Sequence, residues 1–130
     1  MKTVRKHLDK KEIPSLHRLR NLFEDFRNFF THVKFTHGCP IGNLSLELSD
    51  QNEVFRKKLC AAFSSMKHEI QKCLEEAADG GEIGGSMDCA QLSSFILSSW
   101  EGALMEMKLT RSAKPLEIFE TVIFDVLLQV

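Results

Sequence analysis

Apolar residues recur at three- and four-residue intervals through most of this chain. Leu16, Leu19, Leu22, Phe23, Phe26, Phe29, Phe30 and Val33, with Arg and Glu on the opposite side, predict an amphipathic helix that Pro14 and Ser15 are suited to start. The stripe Phe55, Leu59, Ala62, Phe63, Met66, Ile70, Cys73, Leu74 and Ala77 predicts a second long helix, capped by Asp50 and stopped by Gly80-Gly81. Asp88 is expected to cap a third, carrying Leu92, Phe95, Ile96, Ser99, Ala103, Leu104 and Met107, with Arg111 near its end. Pro115 opens a fourth, and Ile41 to Leu48 forms a short helical segment entered through Gly38-Cys39-Pro40. No segment of convincing length alternates with the period of a strand, so the class is all-α.

The last helix departs from simple amphipathicity. Leu116, Ile118, Phe119, Val122, Ile123, Phe124, Val126, Leu127, Leu128 and Val130 wrap nearly its whole circumference, and a helix apolar all round must be covered on more than one side. One core accounts for one side, and a second copy of the chain is expected on the other. Ser98, Ser99, Gly102 and Ala103 form a small-residue stripe suited to a close helix crossing. The interface candidates are Ser99, Gly102, Ala103, Phe119, Ile123, Val126 and Leu127.

At 130 residues, with 43% hydrophobic and 27% charged residues and a net charge of -1, the chain fits one globular domain. No apolar run approaches the ~18 residues of a membrane span, and no apolar segment follows the N-terminal lysines as in a secretion signal, so a cytoplasmic location is expected. The near-neutral total hides an asymmetry: up to Phe35 there are nine Lys/Arg against four Asp/Glu, and beyond it eight against fourteen. A nucleic acid, a neighbouring domain or plain solvent could face that basic end.

Enzyme chemistry finds little support. The chain has no G-x-S-x-G, phosphate loop, H-E-x-x-H or dinucleotide fingerprint, and Gly80-Gly81-Glu82-Ile83-Gly84-Gly85 reads as an interhelical turn. No cofactor is implied. Cys39, Cys60, Cys73 and Cys89 are too far apart for a zinc site or a disulfide framework, and His32, His37 and Cys39 have only a loose spacing for a metal. Cys39 is the candidate with chemistry. If Pro40 begins the short helix, Cys39 is its N-cap, where the orphan N–H groups favour a thiolate, and His37 lies two residues upstream. A buried, structural thiol is the alternative. Trp100, with Phe26, Phe30, Met66 and Leu97, could line a pocket between helices or simply form core.

Gly38-Cys39-Pro40-Ile41-Gly42-Asn43-Leu44-Ser45-Leu46-Glu47-Leu48, Phe55-Arg56, Gly81-Glu82-Ile83 and Trp100-Glu101-Gly102-Ala103-Leu104 resemble the ligand-binding and dimerisation domain of TetR-type transcriptional repressors, from about Ser15 to Leu128. The Gly-Cys-Pro-x-Gly-Asn-Leu stretch looks most like the branch that senses electrophiles and small unsaturated compounds. The resemblance implies an antiparallel helical bundle, a homodimer through the last two helices (Ala90 to Arg111 and Leu116 to Leu128), and an effector cavity among the preceding helices. Phe26, Phe30, Met66, Leu97 and Trp100 then become pocket candidates and Cys39 the sensor. Residues 1–14 resemble the end of a linker helix, and 15–130 the effector-binding and dimerisation domain. Nothing before Ser15 is long enough for the helix-turn-helix head, so DNA is expected as a partner only through a head absent from this sequence. The rival reading is a stand-alone helical small-molecule-binding or thiol redox module.

Overall fold

The computed structural model describes residues 2–39, 42, 43, 47 and 52–130. Five helices account for most of them: α1 (Lys2–Leu8), α2 (Ser15–His32), α3 (Glu53–Asp79), α4 (Cys89–Thr110) and α5 (Lys114–Glu120), the last running on into a wide turn over Thr121–Leu127. Among the described residues there is no strand, and no helix is long and apolar enough to cross a membrane. Helix α4 packs between α3 and α5, while α2 packs on α1, α3 and α5.

The four long predicted helices form where the stripes place them, but two of their starts differ in chemistry. Helix α3 is capped by Asn52, whose side chain accepts a hydrogen bond from Phe55 N. Asp50 lies outside the described residues. Pro14 gives α2 no side-chain cap; Glu82, far along the chain, accepts from both Ser15 N and Leu16 N at 3.2 Å. A carboxylate there answers the orphan donors and the positive end of the helix together. Gly81 delivers it by adopting a positive φ of 76° as the chain leaves α3. Asp88 caps α4 as expected, accepting from Gln91 N.

The core is built from the apolar faces of α2, α4, α5 and the C-terminal half of α3. Its centre is aromatic: Trp100 lies 4.9 Å from Phe23 and 5.1 Å from Phe119, ring centre to ring centre, with Phe26 and Phe30 just outside. Buried Arg18 ties the N-terminal region together by donating to Leu8 O, Ile13 O, Ser15 Oγ and Glu76 Oε2. Part of the basic surplus of the N-terminal third is met within the chain, because Arg5 pairs with Glu69, Lys11 with Glu76 and Arg20 with Asp125.

Helix α5 is not buried all round. Past Glu120 its turns widen, with Leu128 N bonding Ile123 O five residues back, and this rephases the side chains. Ile123, Phe124 and Leu128 point into the core, leaving Ile118, Val122, Val126 and Leu127 exposed. On α4, Phe95, Ser98, Gly102, Met105 and Leu109 follow one another at helical spacing and are also exposed.

Candidate functional site: a cavity beside Cys39

Helix α2 ends without a glycine. Lys34 and Phe35 both take left-handed backbone, at φ 57° and 61°, and Phe35 N closes on Phe30 O. The chain is thereby turned so that Gly38 and Cys39 come over α4. Cys39 O then accepts from Asn43 N at 2.9 Å, the first bond of a helical turn that includes Gly42 and Asn43.

Two glycines set how closely this segment lies on α4. A Cβ added to Gly38 would stand 3.0 Å from Lys108 Cδ, and one added to Gly42 would run into the Glu101 carboxylate. Glu101 and Lys108 are seven residues apart on α4, two turns along one face. The sequence places Gly38 and Gly42 where two side chains of the facing helix need the room.

Between these parts lies a cavity of about 440 Å³, lined by Cys39, Asn43 and Glu47 on one side, Phe63 of α3 on another, and Glu101, Leu104, Met105, Lys108 and Leu109 of α4. Its walls combine apolar surface with a few polar groups, as small-molecule sites do. Burial raises the pKa of Glu101 above the ordinary carboxylate value, and a hydrogen bond from the Cys39 thiol offsets part of that rise.

Of the residues singled out in the sequence, Cys39 lines this cavity; Phe26, Phe30, Met66, Leu97 and Trp100 do not. Phe30, Leu97 and Trp100 are buried in the core, and Phe26 and Met66 pack against it. Trp100 packs its ring against those of Phe26 and Phe30. Glu101, Lys108, Asn43, Glu47 and Phe63 were missed as lining residues. Glu101 did carry a signal, as the only charged residue of α4 before Glu106. Of the interface candidates, Gly102, Val126 and Leu127 are exposed and Ser99 is half-buried. Ala103, Phe119 and Ile123 belong to the chain's own core, at 9%, 5% and 1% exposure.

The other thiols differ in access. Cys73 is buried, donates to Ser15 O, and is pushed up to about 12 by burial. Burial also raises Cys89, helped by Glu75, Asp88 and Asp79. Cys60 is exposed. Among the described residues no group of three or more His, Cys, Asp or Glu is arranged to hold a metal ion.

The fold and the sequence have relatives. The HTH-type transcriptional repressor DhaR of Mycobacterium sp. (strain GP1) is 34% identical over 127 residues, covering 98% of this chain and 62% of the relative. An uncharacterized HTH-type transcriptional regulator in the lacX 3′ region of Lactococcus lactis subsp. lactis is 31% identical over 110 residues, 85% of this chain and 54% of the relative. The crystal structure of regulatory protein TetR from Rhodobacter sphaeroides superposes with a TM-score of 0.87 at 24% identity, covering 91% of this chain and 62% of that one. The chain therefore spans less than two thirds of the length of each. The family model of the tetracyclin repressor-like C-terminal domain matches residues 15–123, and the chain belongs to that family, the regulatory domain of TetR-type transcriptional regulators, which are not enzymes.

Proposed function

We propose that this domain is the effector-sensing and dimerising body of a TetR-like repressor, that its effector is a small hydrophobic or electrophilic compound, and that Cys39 is the group that senses it. The observation that carries the reading is the 440 Å³ cavity, which sets the Cys39 thiol beside apolar walls from α3 and α4. A soft electrophile of a few carbons would find both a nucleophile and a surface to bury against. The cavity lies between Cys39 and Asn43 on one side and α4 on the other, so an adduct on Cys39 would press directly on α4. That helix also carries the exposed apolar stripe through Phe95, Met105 and Leu109, which with Val122, Val126 and Leu127 of the wide turn after α5 forms the surface for a second copy. Sensing and dimer geometry would then share one helix, the kind of coupling by which a ligand moves distant DNA-reading heads. DNA contact would belong to a helix-turn-helix domain outside this sequence, and the location would be cytoplasmic.

Thermal unfolding with a panel of small neutral electrophiles and their saturated analogues tests this. A compound that shifts the midpoint of the wild-type protein but not of Cys39→Ser supports the reading. Equal shifts in both proteins, or shifts from the saturated analogue alone, contradict the sensing role of Cys39.

A further inference from the structure

The cavity contains two groups that can exchange one proton. The Cys39 thiol is hydrogen-bonded to the Glu101 carboxylate, and both face the space enclosed by Phe63, Leu104 and Met105. The missing side chain of Gly42 seats that carboxylate against the segment carrying Cys39. A thiol with a carboxylate and a thiolate with a carboxylic acid are tautomers of the same net charge, so passing from one to the other adds no second anion to a half-buried site. Burial of Glu101 disfavours its bare carboxylate and so brings the two forms closer in energy. Among the described residues, the other charged groups lining the cavity are Glu47 and, from α4, Lys108, while α3 contributes Phe63.

We propose that Glu101 is the proton acceptor that arms Cys39, and that the pair takes small neutral α,β-unsaturated carbonyl compounds. The proposal rests on the reading of Cys39 as the sensor. In the step, the S–H proton passes to the Glu101 carboxylate and the sulfur electron pair forms a bond to the β-carbon. The π pair moves through the α-carbon onto the carbonyl oxygen as an enolate, and the Glu101 carboxylic acid returns its proton to the α-carbon. A thioether results, Glu101 ends as it began, and nothing is oxidised or reduced. An electrophile carrying its own carboxylate would meet two carboxylates, Glu47 and Glu101, against the single cation Lys108, and so be disfavoured.

The test uses the whole 130-residue chain, with N-ethylmaleimide as the neutral unsaturated probe and peptide mass spectrometry as the readout. Addition rates at Cys39 and at exposed Cys60 are measured between about pH 5.5 and 9, a range spanning ordinary carboxylate and thiol behaviour. Addition to a lone thiol speeds up about tenfold per pH unit while the thiol is mostly protonated. Cys39 should instead be nearly flat over about two units around neutrality, because a pair holding one proton keeps a constant share of thiolate there. Glu101→Gln should restore the steep climb and slow Cys39 about tenfold relative to Cys60 near pH 6.5, with far-UV circular dichroism and protection of buried Cys73 reporting the fold. Glu101→Asp, which keeps a carboxyl, should keep a flat region, and it carries the test if the Gln variant does not fold. A folded Glu101→Gln whose Cys39 profile matches wild type, or a steep wild-type profile at Cys39, overturns the proposal while leaving Cys39 as sensor intact. If wild-type Cys39 reacts no faster than Cys60 anywhere in the range, both readings fall.

Discussion

The carboxylate of Glu101 occupies the space that a side chain at Gly42 would fill. This contact sets how closely Gly42 approaches α4, and it places a carboxyl beside the only cysteine in the cavity. Gly42→Ala should therefore act on the site more than on the fold. The obstructing atom is the end of a flexible side chain, so chemical denaturation should show a loss of no more than about 1 kcal/mol, while the addition rate at Cys39 changes because Glu101 is displaced. A loss of several kcal/mol would mean that the segment cannot yield.

Glu82 should matter to stability despite its position in a glycine-rich turn. It supplies the N-terminal cap of α2 from across the bundle. Glu82→Ala should cost about 1 kcal/mol in urea unfolding, and Glu82→Gln less, since the amide oxygen still accepts but the charge is gone. Equal stability of all three proteins would remove the cap from the account.

Arg18 is a harder test of the same region. It is buried and satisfies two backbone carbonyls, Ser15 and Glu76. Arg18→Ala should destabilise by about 3 kcal/mol or more, because it strands those acceptors in the interior. It should also loosen α1, which hydrogen exchange would register as faster exchange in residues 2–8.

The pH dependence of stability should contain two opposed contributions. Burial raises Glu120, with Arg27 only partly offsetting it, and burial likewise raises Glu101. For such groups the folded state holds more protons than the unfolded one between the ordinary value of 4.5 and the raised value, so stability falls as pH rises through that window. Glu76 is lowered, first by its hydrogen bond with Lys11 and further by Arg18, so its contribution is present above the ordinary value and lost as pH falls. Glu120→Gln should flatten the decline above about pH 4.5, and Glu76→Gln should flatten the loss at lower pH. Unfolding midpoints across pH check both, and a Glu120→Gln protein with an unchanged slope would contradict the first.

Oligomeric state separates exposed from buried members of the last two helices. Phe95 and Val126 are 54% and 60% exposed in the single chain, while Ile123 is 1% exposed. In sedimentation, Phe95→Glu and Val126→Glu should turn a dimer into a folded monomer, whereas Ile123→Glu should unfold the chain by burying an unpaired charge. A monomeric wild-type protein at tens of micromolar would contradict the dimer.

The helices were legible because each long one carries a stripe that a single packed face explains, from Leu16 to Phe30 and from Ile96 to Met107. The cavity was not. Phe26, Phe30 and Trp100 suggest a pocket in sequence, but aromatic residues at helical spacing on neighbouring helices satisfy one another. What makes the cavity beside Cys39 is a chain reversal at Lys34 and Phe35, a conformation their side chains do not advertise, together with the register of α4 that presents Glu101 and Lys108. Gly38 and Gly42 are conspicuous in the sequence beside Cys39. Their role in the structure is to admit the side chains of the facing helix. The full apolar circumference of the last helix was legible too, but which half faces inward depends on the widened turn after Glu120.

Whether the cavity beside Cys39 is where this domain meets its effector is decided by competition among its own four thiols. The folded protein is treated at neutral pH with less than one equivalent of a small neutral electrophile, and each cysteine is quantified by peptide mapping. Cys39 should be modified ahead of exposed Cys60, buried Cys73 and the raised Cys89 should be spared, and the adduct should alter dimer stability. Modification of Cys60 first, with Cys39 untouched or its adduct without effect on the dimer, would contradict the sensing role of Cys39.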